Sequence, residues 1–241
     1  MITMADMGHG GMGHDMAATA RASDPHAGHD TGAEPAVADP HAGHPTPAQT
    51  SAPHPPAGHD MSAMGRSMQR HPASEEGNPL VDMQTMAPTS RLDEPGIGLR
   101  DNGRRVLTYA DLKSSFSDPD GRDPSRTIEL HLTGHMERFA WSFDGVRFAD
   151  AEPLRLTYGE RLRIVLVNDT MMTHPIHLHG MWSDLEDDDG HFHVRKHTVD
   201  MPPGTKRSYR VTADALGRWA YHCHLLFHME AGMFREVRVE E

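Results

Sequence analysis

The run His222-Cys223-His224-Leu225-Leu226-Phe227-His228-Met229-Glu230-Ala231-Gly232-Met233 constrains the fold of this chain more than any other stretch. It holds the only cysteine of the sequence, set between two imidazoles and followed by a further histidine and a methionine. A thiolate, a thioether and two imidazoles are the ligand set of a blue-copper centre, with two His and one Cys in a trigonal plane and Met weakly on the axis. In an extended strand successive side chains point to opposite faces, so a strand that turns Cys223 to one side turns His222 and His224 together to the other. The chain therefore needs a β scaffold with a pocket on one side of the pleat and imidazoles on the reverse.

One imidazole is missing from that run, and a second cluster, His174-Pro175-Ile176-His177-Leu178-His179-Gly180, supplies it. The same parity pairs His177 with His179. A single copper requires Cys223, His228, Met233 and one more histidine, which leaves four imidazoles over. The two that flank Cys223 and two from the upstream cluster would form half of a multi-copper site, joined to the first copper by the short covalent path from Cys223 to His222 or His224.

These motifs resemble the last domain of the multicopper oxidases. HPIHLHG followed by HCHLLFHMEAGM is most similar to the copper resistance protein A branch, with a likeness running from about Pro79 to Glu241. The resemblance implies a cupredoxin-like Greek-key β-sandwich and copper as cofactor. It implies His174, Cys223, His228 and Met233 as type 1 copper ligands, His177 as a type 2 ligand, and His179, His222 and His224 as type 3 ligands. Cys223, His222 and His224 would then carry the catalytic electron path. The implied substrates are O2 and a small reductant such as Cu(I) or a phenol, and the implied compartment is the periplasm.

Complete members of that family close a trinuclear cluster with eight histidines, half of them from H-x-H pairs of an N-terminal domain. Here the remaining H-x-H, His191-Phe192-His193, follows the acidic run Glu186-Asp187-Asp188-Asp189 and reads as an exposed loop edge. The chain is thus expected to hold a complete type 1 site and half of a trinuclear site, the missing pairs coming from another chain or domain. The competing reading is a copper-binding electron-transfer module or copper buffer without turnover of its own. Met1 to Met7 lacks the basic and apolar regions of a secretory signal. The resemblance places a Met/His-rich stretch before the final domain, so the chain is expected to start inside that stretch, as a truncated product or with its true start upstream.

No aromatic residue precedes Tyr109, and the first hundred residues are expected to contribute no core. Their Gly, Ala, Pro, Asp, His and Met cannot bury enough apolar surface to offset the entropy of ordering. Residues 1–78 are expected to be a disordered Met/His-rich copper-binding tail or linker, 79–126 an extended connector with little regular structure, and 127–241 the folded domain. Within the tail the unit Asp-Pro-His-Ala-Gly-His occurs at Asp24 to His29 and at Asp39 to His44. With thioethers such as Met61 and Met64 it reads as a copper-collecting arm, against the plainer reading of a solvated linker. The formal net charge of -12 argues against nucleic acid as a partner and favours cations. No apolar run is long enough to span a bilayer.

Alternation predicts strands around Ile128, Leu130 and Leu132, with Glu129 and His131 on the opposite face, and around Leu162, Ile164 and Leu166. Further strands are expected at Tyr209 to Thr212, Trp219 to His224 and Val237 to Val239. Turns are expected at Asp118-Pro119-Asp120-Gly121 and Pro202-Pro203-Gly204. A short helix over Leu225 to Ala231 would carry His228 back to the metal. His131 and His135 read as ordinary polar residues. Asp184, Glu186 and Asp187 read either as a landing place for a cationic donor near the type 1 site or as a solvated face.

Overall fold

The computed structural model describes residues 68–241. The Met/His repeats of the expected collecting arm lie outside the described residues. The fold is all-β, with eleven strands: β1 (Thr127–His135), β2 (Ala140–Phe143), β3 (Leu154–Thr157), β4 (Arg161–Asn168), β5 (His174–Leu178), β6 (Ser183–Glu186), β7 (Phe192–Lys196), β8 (Thr198–Met201), β9 (Lys206–Thr212), β10 (Gly217–Cys223) and β11 (Phe234–Glu240). One sheet has the order β2-β1-β4-β9-β6-β7 and the other β3-β11-β10-β5-β8. The chain crosses repeatedly from one sheet to the other, as in a Greek-key sandwich, with β1-β2, β6-β7 and β10-β11 as the consecutive pairs that stay within a sheet. Among the described residues the one α-helix, α1 (Leu226–Glu230), sits between β10 and β11. Among the described residues no helix is long and apolar enough to cross a membrane.

Period-two patterning builds the core. Leu162, Ile164 and Leu166 of β4 face Ile176 and Leu178 of β5, Tyr221 and Cys223 of β10, and Val237 and Val239 of β11 in one continuous buried cluster. Each such aliphatic side chain, fully buried, stabilises by roughly 1.5–3 kcal/mol. Two buried tyrosine hydroxyls, those of Tyr209 and Tyr221, hydrogen-bond each other across the sheets, so neither is left unpaired in the core.

The expectation that the first hundred residues add no core is corrected by their docking. Leu92 is buried in the main cluster, and Thr85 and Glu75 are buried beside it. Asp82 N–H donates to the Gly134 carbonyl at 3.0 Å, and Thr89 forms a parallel bridge with Thr205. This segment has no core of its own; it is held on the sandwich by backbone hydrogen bonds and a few anchors, which composition does not reveal. Docking also explains why β1 is buried on both faces, with His131 and Thr133 as enclosed as Leu130 and Leu132.

On the outer face of the six-stranded sheet, Glu186 is enclosed between two arginines. It accepts from Arg163 Nε at 2.7 Å and from Arg210 Nε at 2.7 Å. Burial alone would raise the Glu186 carboxyl, but the arginine hydrogen bonds outweigh it and hold the group below the usual carboxylate range. Its contribution is therefore present above the unfolded carboxylate pKa and is lost as pH falls through the folded value. Glu186→Gln is expected to cost about 2 kcal/mol at pH 7. Urea unfolding at pH 7 and near pH 3 checks this: the gap between wild type and variant narrows in acid.

Candidate metal centre

The antiparallel pairing of β5 with β10 sets Leu178 opposite Tyr221, His177 opposite His222, and Ile176 opposite Cys223. Cross-strand partners share a face. Cys223 and Tyr221 therefore point into the sandwich with Ile176, Leu178 and, by the same parity, His174. His177 and His222 point outward. The ladder continues past both strand ends: His224 N–H donates to the Pro175 carbonyl at 2.7 Å, and His179 N–H to the Ala220 carbonyl at 2.9 Å.

Inside, three donor atoms converge. His174 Nδ1 lies 3.6 Å and His228 Nδ1 3.8 Å from Cys223 Sγ, and the two Nδ1 atoms are 3.0 Å apart. A trigonal plane with metal–nitrogen and metal–sulfur bonds near 2.0–2.3 Å has edges of about 3.5–3.8 Å. Only the nitrogen–nitrogen edge must widen to admit the ion. The tautomer of His174 is fixed from behind. Thr170 Oγ1 donates its proton to Asn168 Oδ1, so at 2.7 Å it accepts from His174 Nε2–H, which leaves Nδ1 with its lone pair directed at the pocket. Burial, and then the neighbouring His228, pushes His174 down to about 3, and burial lowers His228 also. Both rings are held neutral, the form that ligates metal. Burial pushes the Cys223 thiol up to about 11, against the Leu225 N–H hydrogen bond, so binding of a metal must expel its proton.

The loop from Cys223 to Met233 is folded back on itself. Helix α1 returns His228 to the pocket, Met233 N–H donates to the His228 carbonyl at 2.9 Å, and Cys223 N–H donates to the Met233 carbonyl at 3.1 Å. Met233 is thereby placed beside the pocket, with no exposure. Gly232 makes this turn at φ +124°, where an added Cβ would meet the Trp141 carbonyl at 2.6 Å. Trp141 roofs the pocket, its ring 4.2 Å from that of His228 and 5.3 Å from that of His174. Trp141, Thr170 and Asn168 were not foreseen from the sequence. They come from β2, from β4 and from the loop leading to β5, with no spacing that ties them to either motif.

Outside, four imidazoles gather on the reverse of the same strands. His179 Nε2 and His222 Nε2 are 3.0 Å apart. His177 lies 4.5 Å, 5.7 Å and 5.9 Å from the rings of His179, His222 and His224. His177 Nδ1–H donates to the His197 carbonyl and His222 Nδ1–H to the Cys223 carbonyl, which leaves the lone pair of each ring on Nε2, that of His222 meeting His179 Nε2. His179 and His224 are exposed, so the group is open on one side. His197, which the sequence reading passed over, stacks on His177 with ring centroids 4.0 Å apart.

Residues 121–241 match the multicopper oxidase family. The chain belongs to this family. It is 83% identical over 174 residues to Copper resistance protein A of Pseudomonas syringae pv. tomato, across 72% of this chain and 29% of that protein. It is 68% identical over 244 residues to Copper resistance protein A of Escherichia coli, across 100% of this chain and 40% of that protein. A multicopper oxidase of Mycobacterium tuberculosis is 36% identical over 111 residues, 46% of this chain and 22% of that protein. The chain therefore spans less than half the length of each of these relatives.

Multicopper oxidases use copper, and both donor sets suit it: a soft sulfur pocket inside and imidazoles outside. Other residues singled out in the sequence belong to neither donor set. His191 is exposed, and His193 Nε2 is engaged with the Tyr109 carbonyl at 2.7 Å. The acidic landing place is corrected for two of its three residues: Asp184 and Glu186 are buried on β6 in the opposite sheet, Asp184 paired with Arg195 at 2.8 Å and Glu186 with Arg163 and Arg210, while Asp187 beyond the strand is partly exposed. The charge of the two buried acids is spent on arginines that a sequence run of acids does not display. His131 is likewise no ordinary surface residue. It is buried, with Nδ1 2.7 Å from Asp169 Oδ2.

Proposed function

We propose that this chain is the type 1 copper and half-cluster domain of a multicopper oxidase that acts in copper resistance in the periplasm. The observation that carries this reading is the pair of opposed donor sets on β5 and β10, joined through the single Cys223–His222 peptide bond. His174, Cys223, His228 and Met233 would together hold the type 1 copper. His177 is the type 2 ligand, and His179, His222 and His224 are type 3 ligands. Copper bound at these sites would supply one-electron redox chemistry.

The chain's own residues do the rest. Thr170 and the helix α1 hold the two inner imidazoles in their ligating orientation. Trp141, with Phe139 edge-on to it at 6.1 Å, keeps water from the sulfur. Cys223 and His222 provide a covalent route between the two faces, and the exposed rims of His179 and His224 leave room for H-x-H pairs from another domain or chain. Copper resistance proteins among the close relatives support the biological setting, with Cu(I) or a phenol as the reductant and O2 as the acceptor. The same open half-cluster favours, as a second reading, electron transfer without turnover by the chain alone.

Two measurements test this. His222→Ala is expected to keep the visible band of the inner copper while copper retained per chain after dialysis against a chelator falls; loss of the band would contradict the opposed-face assignment. Mixed with a Cu(I) or phenolic donor, the copper-loaded chain is expected to bleach without sustained oxygen uptake. Sustained uptake by the isolated chain would contradict the half-cluster reading.

A further inference from the structure

A second group of ligating side chains lies away from β5 and β10, and the proposed function leaves it without a role. His71 and Glu75 come from the docked segment, Glu75 within the 3-10 turn Ala73–Glu75. His131 is on β1, and Asp169 directly follows β4. One donor atom from each lies within 4.8 Å of all the others. We propose that these four residues form a closed site for a divalent transition metal of the zinc class, which fastens the docked segment to the sandwich.

The donors are oriented for an ion. His71 Nε2–H donates to the Thr85 carbonyl at 3.0 Å, so Nδ1 is the ring nitrogen turned to the cluster. That Nδ1 is buried with no hydrogen-bond partner, and it faces Glu75 Oε2 at 3.2 Å and Asp169 Oδ2 at 3.4 Å, both acceptors. Glu75 Oε1 is also buried without a partner, 3.6 Å from His131 Nδ1. Two carboxylates gathered with two imidazoles in a dry site are costly unless positive charge, a metal ion or protons on the rings, stands among them.

Each ligand is also held from outside. Glu75 Oε2 accepts from Gln84 Nε2 at 2.8 Å and Asp169 Oδ1 from Thr85 N–H at 2.7 Å. His131 Nε2 lies 3.3 Å from Glu129, a carboxylate itself tethered by Lys206 at 2.8 Å. A tetrahedral ion with bonds of 2.0–2.1 Å needs ligand edges of about 3.3 Å. The imidazole–carboxylate separations run from 2.7 to 3.6 Å, with Glu75 facing His71 through Oε2 and His131 through Oε1, and the shortest, His131 Nδ1 to Asp169 Oδ2, opens when the ion replaces the proton between them. Two imidazoles and two carboxylates, with no sulfur, suit zinc better than Cu(I). Two buried carboxylates also neutralise a doubly charged ion. The rival explanation is a proton-filled network of ion pairs.

The test uses the full chain with Zn2+ as probe. Wild type, His71→Gln and Glu75→Gln are loaded with zinc and dialysed against a moderate chelator, and retained zinc per chain is counted. Persistence of the visible copper band in separately copper-loaded samples reports folding. Wild type is expected to retain one more zinc than either variant, with affinity at this site falling more than about 100-fold in the variants. Zinc is expected to raise the thermal midpoint more in wild type than in the variants. If Glu75→Gln does not fold, His71→Gln, at the edge of the cluster, carries the comparison. Equal zinc retention in wild type and in the folded variants would overturn the site and assign the cluster to protons. Because the copper band is read independently, failure here leaves the copper assignment standing.

Discussion

Cys223→Ser is expected to abolish the visible band of the copper-loaded chain and to weaken copper at the inner pocket by at least about 100-fold. The serine hydroxyl is a hard oxygen that does not ionise near neutral pH, so the pocket is left with two imidazoles and a thioether. The substitution also places a polar oxygen where Cys223 is fully enclosed, at a cost of about 1–3 kcal/mol to the metal-free fold. The two effects separate in one pair of experiments. Absorbance during copper titration reports the ligand, and urea unfolding without metal reports the fold. Copper should raise the thermal midpoint far less in Cys223→Ser than in wild type, because that linkage depends on ligands that only the folded state assembles. A variant that keeps the band would show that sulfur does not hold the copper.

Trp141→Ala carries the second large effect, a loss of about 3–5 kcal/mol in folding stability. The indole is 1% exposed and lies over His228, with Phe139 at its edge. It fits against β1 only because residue 134 is glycine: a Cβ there would stand 2.5 Å from the ring. Removal leaves a cavity between the sheet and the pocket, and water gains access to the sulfur. The expected result is a lower urea midpoint together with a weakened or shifted copper band, while Trp141→Phe retains most of both. A loss below 1 kcal/mol would mean that the ring is not part of the pocket wall.

The sequence carries the site further than it carries the frame around it. Alternation placed His222 and His224 opposite Cys223, and β10 runs through the cysteine with Tyr221 and Cys223 enclosed on the inner side. The short helix expected after His224 is present as α1, and the strands expected at Ile128, Leu162, Tyr209 and Val237 lie within β1, β4, β9 and β11. What stayed hidden depends on long-range contact. Thr170 is recognisable as an orienting group only when it meets His174, and His197 only when it stacks on His177. His131 alternates with leucines exactly as an exposed residue would, until the segment bearing His71 and Glu75 covers it. Asp184 and Glu186 look like free charge in a row of acids because Arg195, Arg163 and Arg210 arrive from β7, β4 and β9.

Electron paramagnetic resonance of the copper-loaded chain tests the central claim most directly. A cupric signal with narrow hyperfine splitting, absent in Cys223→Ser and retained in His222→Ala, is the predicted result. A spectrum with only the broad splitting of nitrogen- and oxygen-bound copper, unchanged by Cys223→Ser, would contradict it.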